Sequence, residues 1–351
     1  TLQDDLEGTS LRALIVADDK DETKQWTFPP LSTQLLQSAF GGRSIALVGD
    51  STLFYTAQWM HRLMDSSSNN NAIPNHLLES LPHRNLSNAF DAITDYFTHS
   101  NHTRYDTTSF STQLPTATNT TGHILWKGFR GTNQRKNCLF DQYVWPSILN
   151  PQLSPGNTNN TIRTPDILIA NWGLHMFYRA ILKPCNVDMW FHYEDWLHKV
   201  VQVAQQTGTV QLLLFKTTNL ICHNLTQQQQ STKQAKCREK LQHFQNEMTT
   251  LTESDIQRYC ENGLMLDRSA RALNSRLERF VRALQPPPGL TVAIYNDYDL
   301  EDCRYTADND GIHFHPLQLP RIRYMAHLIQ CLYDPNNNNN NTSSTAAMTR
   351  T

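Results

Sequence analysis

The sequence predicts an α/β fold, a parallel sheet covered by helices on both faces. Short apolar runs bounded by turn residues recur at Ile45–Val48, Pro165–Asn171, Val210–Lys216 and Leu290–Tyr295. Such runs are the mark of strands buried on both faces. Between and after them lie spacers of helical length, among them Val187–Gln206, Asp267–Leu284 and Leu317–Tyr333. Strand alternating with helix makes the parallel sheet the natural architecture, and 351 residues suffice for one large α/β domain or two small ones.

In chain order, residues 1–43 show little periodicity and read as an irregular lead-in. Residues 44–64 hold the first strand and helix, with the turn Gly49-Asp50-Ser51 between them. Residues 65–121 are polar and read as loop, with one helix near Leu86–Phe97. His123–Phe129 is a second strand, 150–164 a Pro/Asn/Thr linker, and Pro165–Asn171 a strand bounded by turn residues. Val210–Lys216 follows Gly208 as a central strand, and 222–265 is a polar insert, helical in part. Pro286-Pro287-Pro288-Gly289 stops the helix before the last strand. The expected domain is 44–334, followed by an Asn-rich, disordered tail at 335–351.

Composition narrows the function classes. A net charge of −2 and an isoelectric point near 6.7 leave no basic footprint for nucleic acid and no polybasic membrane patch. No stretch approaches the ~18 apolar residues of a membrane span; the chain starts at Thr1, which leaves room for a signal or anchor upstream. The seven cysteines, Cys138, Cys185, Cys222, Cys237, Cys260, Cys303 and Cys331, contain no Cys-X-X-Cys pair, which argues against a zinc or thioredoxin-type site. Asn-X-Ser/Thr sequons stand at Asn85, Asn101, Asn119, Asn159, Asn224, Asn340 and Asn341. Spread cysteines with sequons fit the oxidising secretory pathway, Golgi lumen or extracellular space; scattered cytosolic thiols are the competing reading. The expected bridges are Cys222–Cys237, clipping the insert, and Cys303–Cys331, tying the loop after the last strand to the last helix.

Three stretches carry chemistry, each at the carboxyl end of a strand, where open α/β sheets bind ligands. Ser51 stands at a strand-to-helix turn, among free backbone N–H groups that favour developing negative charge; a plain helix cap is the competing reading. Asp310-Gly311-Ile312-His313 follows the last strand. Across that turn the Asp310 carboxylate can hold the His313 imidazole, leaving the second nitrogen to act as the base a serine nucleophile needs. Asn171 follows the strand ending at Ala170, where its amide can donate to an oxyanion. The Ser51 backbone N–H is a second donor, and Gly128 or Gly131 a third. A polar surface loop, or a metal site from Asp308, Asp310, His313 and His315, competes for the late stretch.

Together the three stretches resemble the SGNH (GDSL-like) hydrolase superfamily in order and strand position, over about residues 44–333. Asn171-Trp172-Gly173-Leu174-His175-Met176-Phe177 is similar to the middle block of the PC-esterase and trichome-birefringence-like group. The departure is the glycine block, where only Gly128 and Gly131 stand as candidates. The resemblance implies a flavodoxin-like three-layer α/β/α sandwich with polar loop inserts and acyl-ester chemistry without a cofactor or metal. It assigns Ser51, His313 and Asp310 to a catalytic triad, and Ser51, Asn171 and Gly128 to an oxyanion hole. Asp50, Trp172 and His175 fall to substrate binding. The implied substrate is an O-acylated carbohydrate, with the acyl group passing to water or to a sugar hydroxyl. A lipase-like small-ester hydrolase and a catalytically silent glycan-binding member are the alternatives. The aromatics Trp126, Trp172, Phe177 and Tyr178 stack on sugars in the first reading and pack in the core otherwise.

Overall fold

The computed structural model describes residues 31–64, 109–114, 122–128, 149, 164–172, 193–222, 226–248, 252–261, 266–301, 303, 311–314 and 317–333. Six strands, β1 (Ser44–Gly49), β2 (Ser109–Leu114), β3 (Gly122–Gly128), β4 (Ile167–Ala170), β5 (Leu212–Lys216) and β6 (Thr291–Tyr295), form one sheet ordered β2-β3-β1-β4-β5-β6. β3, β1, β4, β5 and β6 pair in parallel, and β2 adds antiparallel to β3 at the edge. Numbered along the chain, the parallel strands stand in the order 2-1-3-4-5, that of flavodoxin-like doubly wound sheets. The order reverses between β1 and β4, and the crevice there is where such sheets bind their ligands.

Strand periodicity divides the core in two. Ile45, Leu47, Ile167, Ile169, Leu212 and Leu214 face the helices α1 (Thr33–Phe40), α2 (Ser51–Met64) and α7 (Gln318–Tyr333). Ala46, Val48, Leu168, Ala170, Leu213 and Phe215 face α3 (Tyr193–Thr207) and α6 (Asp267–Ala283). α4 (Gln227–Met248) and α5 (Glu253–Cys260) extend that second layer. β1, β4 and β5 are therefore buried along their whole length, which is why they read as unbroken apolar runs. The sheet is anchored below its first turn by Asp166, whose Oδ2 accepts the Ser44 N–H at 2.8 Å.

Several sequence expectations are corrected. Residues 33–40 are a helix rather than irregular, capped by Ser32, whose hydroxyl accepts the Leu35 N–H at 3.1 Å. Two turns are too short to display a period, yet Leu35, Leu36, Ala39 and Phe40 are all buried. Ser109–Leu114, expected as loop, is edge strand β2; its Ser, Thr and Gln suit an edge and hide the strand signal. The disulfides are Cys222–Cys303 and Cys237–Cys260, not Cys222–Cys237 and Cys303–Cys331, and Cys331 is exposed and unbridged. Cys222 belongs to the exit of β5 rather than to the insert, while Cys237 on α4 faces Cys260 on α5 with Cα atoms 5.6 Å apart. The expected helix at Leu86–Phe97, the tail, all seven sequons, Cys138 and Cys185 lie outside the described residues. Among the described residues, no helix is long and apolar enough to cross a membrane.

Candidate active site

The site is built where β1 ends. Asp50 caps α2: its Oδ1 accepts the Thr52 N–H at 2.9 Å and the Thr52 hydroxyl at 2.5 Å, and its carbonyl accepts the Phe54 N–H at 3.0 Å. This carboxylate, on a residue only 2 % exposed, is engaged in shaping the turn. Ser51 becomes the first residue of α2, so its backbone N–H is one of the unpaired donors at the positive end of the helix. Ser51 is described by its backbone alone.

Asn171 extends the β1/β4 ladder by one rung, its N–H donating to the Val48 carbonyl at 2.9 Å. Its amide is buried at the β1/β4 switch point, 1 % exposed. Its Nδ2 donates to the Thr217 carbonyl, 3.4 Å away. Oδ1 has no hydrogen-bond partner among the described residues and lies against Gly49. A Cβ on Gly49 would stand 3.1 Å from Asn171 Oδ1, 3.2 Å from the Asn171 carbonyl oxygen and 3.0 Å from Leu53 Cδ2. The glycine is what allows the amide to close on the Gly49–Ser51 turn. Gly128, the last residue of β3, stands in register with Gly49, so it ends at the same edge.

His313 reaches this turn from the other end of the chain. Gly311, in the left-handed region at φ +70°, turns the segment, and its carbonyl accepts the Cys222 N–H at 2.9 Å. Phe314 is fully buried beside Cys222 and Leu317. Between these anchors the half-buried His313 ring meets Tyr55 edge to face, with centroids 5.4 Å apart at 88°. Tyr55 stands four residues after Ser51, on the same side of α2 one turn along. Ser51, Asn171 and Gly128 thus stand at one carboxyl edge, and the His313 ring meets α2 one turn from Ser51. Thr56 on α2 donates to Gln318 Oε1 on α7 at 2.8 Å, tying α2 to the helix that follows the His313 segment.

The remaining sequence candidates divide into two groups. Trp172 is buried at 4 % exposure with its ring 5.3 Å from that of Trp196, so it packs in the core under α3 and leaves almost no face for a sugar. Asp310, His175, Gly131, Phe177, Tyr178, Asp308 and His315 lie outside the described residues, as does the side chain of Trp126. Among the described residues, no group of three or more His, Cys, Asp or Glu is placed to hold a metal ion.

Beside the site lies a buried charge network that sequence reasoning missed. Lys216, the last residue of β5, pairs with Asp297 at 3.1 Å and donates to Asn219 Oδ1 at 2.7 Å. Arg321 of α7 pairs with Asp297 at 3.1 Å through Nε and with Glu301 through its terminal nitrogen. Glu301 also accepts from the Asn219 amide and the Leu220 N–H. All four ionisable residues are buried, so the network survives only by mutual pairing. Burial pushes the Glu301 carboxyl up to about 8; Arg321 and Lys216 pull it down and Asp297 pushes it further up. The available signal was positional: Lys216 and Asp297 both stand at the carboxyl ends of apolar runs.

Comparison with family models, curated proteins and solved structures finds no match to this chain.

Proposed function

We propose that this chain is a serine-dependent acyl-ester hydrolase or O-acyltransferase on an SGNH-type, flavodoxin-like α/β/α sandwich. The observation that carries the reading is that the Ser51 turn and Asn171 meet at the switch point of a 2-1-3-4-5 sheet, with the His313 ring against α2 one turn from Ser51. A helix N-terminus alone would accept a serine as a cap. A buried amide and an imidazole one helical turn away give that serine an oxyanion partner and a base.

In this mechanism Ser51 Oγ attacks the ester carbonyl while His313 takes its proton, with Asp310 orienting the imidazole. The C–O bond to serine forms, and the oxyanion rests on the Ser51 N–H, Asn171 Nδ2 and the Gly128 N–H. The ester C–O bond then breaks, His313 returns the proton to the leaving alkoxide, and an acyl-enzyme remains. Water or a sugar hydroxyl, deprotonated by the same imidazole, attacks the acyl carbon and frees Ser51. The substrate class, O-acetyl groups on a carbohydrate, rests on the sequence resemblance. The two disulfides and the sequons support a setting in the Golgi lumen or outside the cell.

The test incubates the full chain with an aryl acetate, with and without an acceptor glycan, beside Ser51→Ala. Release of the aryl alcohol by wild type and not by Ser51→Ala supports the reading, and acceptor-dependent acetylated glycan identifies transfer. Equal release by both proteins would refute the serine mechanism.

A further inference from the structure

His313 rides on the four-residue segment Gly311–Phe314, and contacts on both sides of the histidine in that segment run to one cysteine. The Cys222 N–H holds the Gly311 carbonyl at 2.9 Å on one side of the histidine. The Cys222 side chain, 1 % exposed, packs with Phe314 and Leu317 on the other, with Leu220 and Cys303 closing the cluster. Cys222 is in turn bonded to Cys303, 81 residues later in sequence, with Cα atoms 5.5 Å apart. The bridge therefore joins the exit of β5 to the chain leaving β6, just upstream of the histidine segment. The same two strand exits also meet through Glu301, two residues before Cys303, which accepts from the Asn219 amide and the Leu220 N–H; the bridge adds the covalent link beside the histidine segment, next to a glycine with a wide choice of backbone conformations.

From this arrangement we propose that the Cys222–Cys303 bridge is a positioning element for His313, keeping the imidazole against Tyr55 and within reach of the Ser51 turn. The inference rests on the serine-hydrolase reading above. Cys237–Cys260 supplies an internal control, because it joins two helices of the polar insert, α4 and α5. A bridge that only stabilises the fold affects the amount of folded protein. A bridge that positions the base affects the rate at which each folded molecule activates its serine. A misplacement of ~1 Å is enough to cost ~10²-fold in rate.

The experiment follows labelling of the full-length protein by an alkyl fluorophosphonate. In that reaction serine oxygen bonds to phosphorus, fluoride leaves, and the serine proton passes through the base to solvent. The double variant Cys222→Ala/Cys303→Ala should label at least about tenfold more slowly while reaching the same final extent per folded molecule. Cys237→Ala/Cys260→Ala should lower the melting temperature and leave the labelling rate constant within about twofold of wild type. Equal rate constants in the two double variants, or a loss confined to the final extent, would overturn the proposal. Should the first variant not fold, Phe314→Leu loosens the same cluster with the bridge intact; it should label several-fold more slowly, and an unchanged rate would equally overturn it. Failure of the underlying reading looks different: wild type would not label, or Ser51→Ala would label as fast.

Discussion

At the scale of single residues, the tightest constraint is the contact between Gly49 and Asn171. Gly49→Ala would drive a methyl group against the Asn171 oxygens and Leu53. It should cost ~1–3 kcal/mol, as overpacking of a close-packed site does, read as a shift in the denaturation midpoint. In the proposed mechanism Asn171→Ala removes one oxyanion donor among several, so aryl-acetate kcat should fall by ~10²–10³. Circular dichroism should show the fold retained, and an unchanged kcat would remove Asn171 from the mechanism. The positions of Ser51 and Asn171 at strand exits were legible because each follows an apolar run; the inward packing of Trp172 and the capping by Asp50 were not. Whether a residue just past a strand end turns inward or outward depends on its neighbours, here Trp196 beneath Trp172 and Thr52 beside Asp50.

At the scale of elements, α2 begins at Ser51, the nucleophile of the proposed mechanism, and its start depends on one carboxylate. Asp50→Ala deprives Thr52 of the acceptor for both its N–H and its hydroxyl and should destabilise by ~1–2 kcal/mol, as the loss of a helix cap does. Thermal unfolding of the purified variant measures this; a change below a few tenths would mean that the turn does not rely on its cap. The strands around this helix were legible because burial on both faces leaves no polar residue to interrupt them. α1 and β2 were hidden, one by brevity and the other by the polar side chains of an edge. The bridge pairing was hidden too, since the partners of Cys222 and Cys237 are set by which strand exits and helices lie side by side.

At the scale of the molecule, the Lys216–Asp297–Arg321–Glu301 network joins β5, the β6 exit and α7 next to the site. Its members meet from three distant parts of the sequence, so no local pattern announces it. Glu301 keeps its proton up to about 8 when folded, against about 4.3 for a free glutamate. Across that window the folded state binds more protons than the unfolded one. The stabilisation from this group is therefore complete below the unfolded value and is lost as pH rises through about 8. Melting temperatures of wild type and Glu301→Gln, recorded across that range, should show the wild type losing more stability toward high pH; parallel curves would contradict this. Peptide mass spectrometry after rapid acid quench of the protein mixed with an aryl acetate tests the proposed chemistry most directly. One acetyl group is expected on the peptide carrying Ser51, strongly reduced in His313→Ala and absent in Ser51→Ala. Turnover without acetyl on that peptide, or Ser51→Ala turning over like wild type, would contradict it.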